Sequence, residues 1–183
     1  MTPTAVDELL HLVRTRRTHY RLTKSSPFHH DSIEHVIKGA LVYTPSSFNS
    51  QSTRVIVLFG AHHDRFWDVA TAILKSKMPS NRWEPTSQKM AMFKDATGTI
   101  LFFEDQDVSD AMVQYTIWLA LDAEGLGVNL QHYNLKVDAK VMDEWNFPAG
   151  WKLNDQMVFG GKTGTLPEKD FVPLEERCKV FGV

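Results

Sequence analysis

Val6, Leu9, Leu10 and Val13 recur at i, i+3, i+4 and i+7, the spacing of one helical face. Thr4 and Asp7 suit the first turn of that helix, and Arg14, Arg16 and Arg17 gather at its far end, where the helix dipole favours cations. Ile33, Val36, Ile37, Ala40 and Leu41 predict a second helix from Asp31 to about Val42, with Asp31 and Glu34 at capping-box spacing. Val55–Phe59 reads as a buried strand. Asp64 is placed to cap a helix bearing Phe66, Trp67, Ala70, Ile73 and Leu74. The polar stretch from Lys75 to Gly98, with Pro79 and Pro85, predicts a loop and then a short helix over Gln88–Lys94. Thr99–Glu104 predicts a second strand. A long helix over Ser109–Glu124 carries Met112, Tyr115, Trp118, Leu119 and Ala123 on its apolar side and ends at Gly125. Val128–Gln131 and Gln156–Phe159 predict two more strands around a helix at Asp138–Trp145. From Gly160 onward, Pro167 and Pro173 interrupt a tail with too few apolar residues for a core of its own. Such a tail lies along another surface, and a second subunit can provide one.

The pattern is an α/β or α+β fold, and 183 residues suit one domain with a single core. A formal charge of −2 gives no global field favouring nucleic acid or anionic membrane. No apolar run is long enough to span a bilayer, and the first twenty residues lack the pattern of a signal peptide. One cysteine, Cys178, excludes an intramolecular disulfide and CxxC-type zinc spacing, which fits a cytoplasmic protein.

Familiar nucleotide motifs fail. Gly160-Gly161-Lys162-Thr163 ends like a phosphate-binding loop, but Gln156 stands where its first glycine belongs. Gly125-Leu126-Gly127 lacks the third glycine of a dinucleotide fingerprint, where Leu130 stands. The pairs His29-His30 and His62-His63 are adjacent, so neither aims two rings at one metal. Three polar clusters are more informative. Arg16-Arg17-Thr18-His19-Tyr20 offers guanidinium forks that match phosphate oxygens, although arginines are also favourable at any helix C-terminus. Ser46, Ser47, Asn49 and Gln51 supply hydroxyls and amides suited to a polyhydroxyl chain or a heterocycle edge, or to a plain capped turn. Asn129 to Asn134 closes a strand among hydrogen-bonding and stacking side chains, or simply leads into a loop.

RRTHY, PSSFNSQ and EGLGVNLQHYN, with RVIVLFG, ILFFEDQ, WKLNDQMVFG and PLEERCKVF, resemble in register the nitroreductase superfamily of FMN-dependent oxidoreductases. The similarity is greatest to its small fungal and bacterial branch, the fatty-acid-repression-mutant type, and covers nearly the whole chain. The resemblance implies an α+β fold: a three-layer α-β-α sandwich on a central, mostly antiparallel sheet. It implies a helix-mediated homodimer in which C-terminal arms (residues 161–183) embrace the partner and two FMN molecules sit in the interface. By the same resemblance Arg16, Arg17 and Thr18 take the FMN phosphate or ribityl chain, with Tyr20 where many relatives carry a basic residue. Ser46, Ser47, Asn49 and Gln51 match the flavin-contacting loop, and Gln131, His132 and Tyr133 the segment beside the isoalloxazine ring. Lys169 and Arg177 are the candidates for a basic C-terminal phosphate contact. The branch carries a longer connection where Asp107–Asp110 runs almost at once into the interface helix, in the part that shapes the substrate mouth.

The implied activity is reduction of a nitroaromatic or quinone-like acceptor by NAD(P)H through FMN, in ping-pong fashion. The cofactor carries the redox chemistry, so no acid–base dyad is demanded and none is assigned. The alternatives are a flavin-binding protein for storage or sensing and, less consistent with a phosphate-type cradle, a structural dimer.

Overall fold

The computed structural model describes residues 3–26, 28–104, 111–148, 150–169, 171, 173 and 177, without the side chains of 134–139. The start of the predicted helix at Ser109, the Asp107–Asp110 connection, Cys178 and the apolar Val180-Phe181 lie outside these residues.

Five strands form one sheet. They are β1 (Leu22–Thr23), β2 (Thr53–Phe59), β3 (Gly98–Glu104), β4 (Leu126–Gln131) and β5 (Lys152–Lys162). All their pairings are antiparallel, with β2 beside β3, β3 beside β5 and β4 on the other side of β5. β1 takes over the β3 side of β5 at Gly161 and Lys162. The central strand β3 is buried at every position. Its alternate residues point to opposite faces, as strand geometry requires. Ile100 and Phe102 join Ile33, Ile37, Val113, Ile117 and Leu121 in one core. Leu101 and Phe103 join Phe66, Trp67, Met90, Phe93 and Val141 in the other. The first core lies under α2 (His30–Tyr43) and α5 (Ala111–Ala123), the second under α3 (Gly60–Lys77), α4 (Ser80–Lys94) and α6 (Asn134–Trp145). The result is the expected α-β-α sandwich. Each fully buried Phe contributes about 1.5–3 kcal/mol over an exposed one.

Several local expectations change. α2 begins at His30, and its N-cap His29 makes no side-chain cap bond, so Asp31 is not the cap. α3 begins at Gly60, which puts Asp64 inside the helix. There its carboxylate pairs with Lys24 at 2.7 Å, a bond that lowers the Asp64 pKa. The predicted loop over residues 75–87 is mostly helix: α3 continues to Lys77 and α4 starts at Ser80 with Pro85 inside it. Pro85, the sixth residue of α4, forgoes one helical hydrogen bond, a cost that burial of Met90 and Phe93 offsets. In α5 the buried stripe is Val113, Ile117 and Leu121, whereas Met112 and Tyr115 are exposed. β5 pairs as far as Lys162, so the C-terminal arm leaves the sheet after that residue.

α1 (Ala5–Thr15) has the predicted start, a capping box in which Thr4 and Asp7 bond reciprocally. None of its residues is buried. Val6, Leu9 and Leu10 stay 63%, 56% and 51% exposed.

Candidate functional site

Two of the three polar clusters meet at the β4 edge. Arg16 caps α1, and the chain then runs extended beside β4, with a parallel bridge between Thr18 and Val128. The His19 N–H donates to the Val128 carbonyl (2.9 Å), and Asn129 Nδ2 donates to the His19 carbonyl (2.8 Å). The approach is close enough to require glycine at 127, where a Cβ would sit 2.6 Å from Leu22 Cδ2 and 3.0 Å from His19 Cβ.

The C-terminal arm closes the other side. Thr163 donates its N–H and its hydroxyl to the Arg21 carbonyl (3.2 and 2.9 Å), and Arg17 donates to the Pro167 carbonyl (2.6 Å). A cavity of about 480 Å³ lies between them, lined by residues 16–21, Thr163 and residues 165–169. Its charged lining is Arg16, Arg17, Arg21 and Lys169 against Glu168. Lys169 is therefore at the cavity as expected. Arg177 is exposed and is not among the described lining residues. Tyr20 lines the cavity and is half exposed.

The cavity has an unsatisfied inner wall. The Arg16 guanidinium lies 4.6 Å over the Trp118 ring, and its buried Nε has no hydrogen-bond partner among the described residues. His19 Nδ1 is likewise buried without one. Burial lowers the His19 pKa, and the Lys162 and Arg17 charges lower it further against the opposing pull of Asp122. Lys162 itself pairs with the buried Asp122 at 3.1 Å. Neutral His19 leaves the arginines and Lys169 as the cations of the cavity.

The segment after β4 is also ordered by side chains. Gln131 Nε2 donates to Asn129 Oδ1 (2.8 Å), and the Tyr133 N–H donates to Oε1 of the fully buried Gln156 (2.9 Å). The Tyr133 ring turns into the core, edge-on to Trp67, and burial raises its hydroxyl pKa. His132 Nδ1 bonds Asp155 Oδ1, whose other oxygen accepts from Gln114 Nε2 (2.6 Å). Neither Asp155 nor Gln114 stood out in the sequence: a lone Asp in a strand and a Gln in an apolar helix carry no local signal.

The third cluster is elsewhere. Ser46 Oγ accepts the Gln51 N–H (3.0 Å), Gln51 Nε2 donates to Asn49 Oδ1 (3.1 Å), and Ser47 opens a short 3-10 turn ending at Asn49. Phe48, Asn49 and Gln51 have φ of 53°, 56° and 47°. Non-glycine residues are held there at a cost, and such positions gather at functional loops. The loop is anchored below by buried Glu104, which accepts from the Ser52 hydroxyl (2.8 Å) and the Thr53 hydroxyl (3.0 Å). Thr53 pairs with Glu104, and Glu104 with Lys152, at the start of β5. Thr18 reaches the sheet through Val128, which pairs with Phe159. Six steps of β3, from Glu104 to Gly98, separate those two levels, about 20 Å of strand, with a bulge in β5 between them. The loop at 46–51 contributes no residue to the lining of the cavity at 16–21.

The sequence model of the nitroreductase family matches residues 13–161. The chain is 29% identical to a Saccharomyces cerevisiae protein named nitroreductase FRM2, over 94% of this chain and 96% of the yeast protein. Among solved structures it is similar to the nitroreductase CinD from Lactococcus lactis in complex with chloramphenicol, with a TM-score of 0.83 and 33% identity over 94% of this chain and 98% of that one. A Desulfitobacterium hafniense nitroreductase with bound FMN shares the fold, with a TM-score of 0.77 at 19% identity, over the full length of both chains.

Proposed function

The chain belongs to the nitroreductase family of oxidoreductases, and we propose that it is an FMN-dependent enzyme that passes electrons from NAD(P)H to a nitroaromatic or quinone-like acceptor. The observation that carries this reading is the cationic cavity with an unpartnered buried Arg16 Nε in its wall. A phosphate monoester supplies an anionic acceptor for Arg16 and a counter-charge for Arg17 and Lys169, and the Thr18 hydroxyl adds a donor beside them. Asn129 and Gln156 hold the backbone at His19 and Tyr133 in fixed positions, so that the phosphate end and the ring end of one ligand are oriented together. FMN would supply the hydride chemistry; the protein binds, orients and excludes water.

The separation of the 46–51 loop supports a homodimer. A second copy can bring Ser46, Ser47, Asn49 and Gln51 to the cavity, which they do not line in their own chain. The apolar surface needed for such an association is present: Val6, Leu9 and Leu10 on α1, Met112 and Tyr115 on α5, and Val42, Tyr43 and Phe48 are all exposed. A groove of about 470 Å³ between α2 and α5 lies on the same side of the sheet.

The test is complementation between subunits. Arg16→Ala and Asn49→Ala homodimers each hold FMN weakly. Mixed dimers of the two regain one intact site per dimer, and half the wild-type flavin content. No recovery on mixing refutes the shared site.

A further inference from the structure

The geometry points to His132 as the group that delivers the proton accompanying hydride transfer to the acceptor, with Asp155 as its positioning residue. This rests on the flavin site proposed above.

His132 leaves the end of β4 beside the segment that would flank the isoalloxazine ring. Its Nδ1 is bonded to Asp155 Oδ1, and the second carboxylate oxygen is taken by Gln114 Nε2 at 2.6 Å. Asp155 sits on rigid β5 with its side chain 13% exposed, and Gln114 on α5 is buried. The carboxylate therefore cannot swing away. A carboxylate on Nδ1 fixes that nitrogen as the N–H and leaves Nε2 as the nitrogen that exchanges a proton. The His132 side chain is 64% exposed, so the ring is within reach of solvent and of a small molecule. Among the described residues Asp155 is the one charged group bonded to the ring, and Tyr133 next to it turns into the core. A surface histidine with no task needs no buried carboxylate–amide support.

The stoichiometry requires a proton, and His132 is the group placed to pass it from water to the acceptor. A quinone receives a hydride from the reduced cofactor and a proton at oxygen: the Nε2–H bond breaks as the hydroquinone O–H forms. A nitro group takes the same hydride and proton and loses water to become a nitroso group. His132 is left neutral and regains its proton from water. The electrons come from the nicotinamide donor already named.

Anaerobic rapid mixing separates the two half-reactions. His132→Gln should slow flavin reoxidation by a quinone about 100-fold, with flavin reduction by the nicotinamide donor changed about twofold or less. Imidazole added to a His132→Gly variant should restore part of the lost rate. In the flavin-free wild type, nitrogen NMR of the neutral form of the His132 ring, the form left after it has given up its Nε2 proton, should show the Nδ1–H tautomer, and Asp155→Asn should mix the two. A yellow wild type whose His132→Gln variant reoxidises at the same rate, or whose two half-reactions slow equally, overturns this assignment alone. A wild type that takes up no FMN overturns the flavin site beneath it.

Discussion

At the scale of single residues, the account turns on groups whose partners are incomplete or fixed. Arg16 is supported by the Trp118 face but keeps a buried Nε without an acceptor among the described residues. Arg16→Ala should weaken FMN binding about 10–100-fold, measured by flavin fluorescence, because a charge-assisted bond to phosphate is lost. His63 is the opposite case. Its Nε2–H donates to the Lys94 carbonyl (3.1 Å), so Nδ1 accepts from the Thr99 hydroxyl (2.9 Å), which in turn accepts from Trp67 Nε1 (2.9 Å). Burial lowers the pKa of both His63 and His19 in the folded chain. The unfolded chain then binds more protons than the folded one as pH falls below about 6.5, so stability is full above that value and declines on acidification. Denaturant midpoints should fall from neutral pH toward pH 5, and His63→Gln should flatten part of that slope. The arginines were legible in the sequence because their chemistry is contiguous. The chain through His63, Thr99 and Trp67 was not, because its partners are joined only by the packing of α3 on β3.

At the scale of elements, periodicity located the long helices and four of the five strands, but only the second half of α4 and not every face. Strands β2 and β3 stood out as apolar runs bounded by polar residues. α4 was obscured by Pro79 and Pro85, since a proline reads as a break unless burial on the helix offsets it. α5 is apolar almost all round, and spacing alone cannot say which stripe meets the sheet. The answer, Val113, Ile117 and Leu121, leaves Met112 and Tyr115 outward. The fit of the 16–21 segment against β4 depends on Gly127. Gly127→Val should destabilise the fold by about 1–3 kcal/mol in equilibrium unfolding, through overpacking against His19 and Leu22, and should loosen the cavity above it.

At the scale of the whole molecule, α1 is a helix that touches α5 but leaves the apolar Val6, Leu9 and Leu10 exposed among the described residues, and the proposed flavin site is split across about 20 Å of sheet. One second subunit answers both. Leu10→Glu should shift sedimentation toward monomer and lower flavin content together; loss of one without the other would separate assembly from the site. The family was legible from motifs in register. Their division between two ends of the sheet was not, because sequence order says nothing about where a hairpin of strands returns. The central claim is that this family member holds FMN and takes hydride from a nicotinamide donor. The most direct measurement is the visible spectrum of the purified protein, recorded before and after anaerobic addition of NADH or NADPH. The account predicts a yellow protein, or one that becomes yellow with FMN, whose flavin absorbance is bleached by at least one donor and restored by a quinone. A protein that stays colourless with FMN present, or a yellow one that neither donor bleaches, would contradict it.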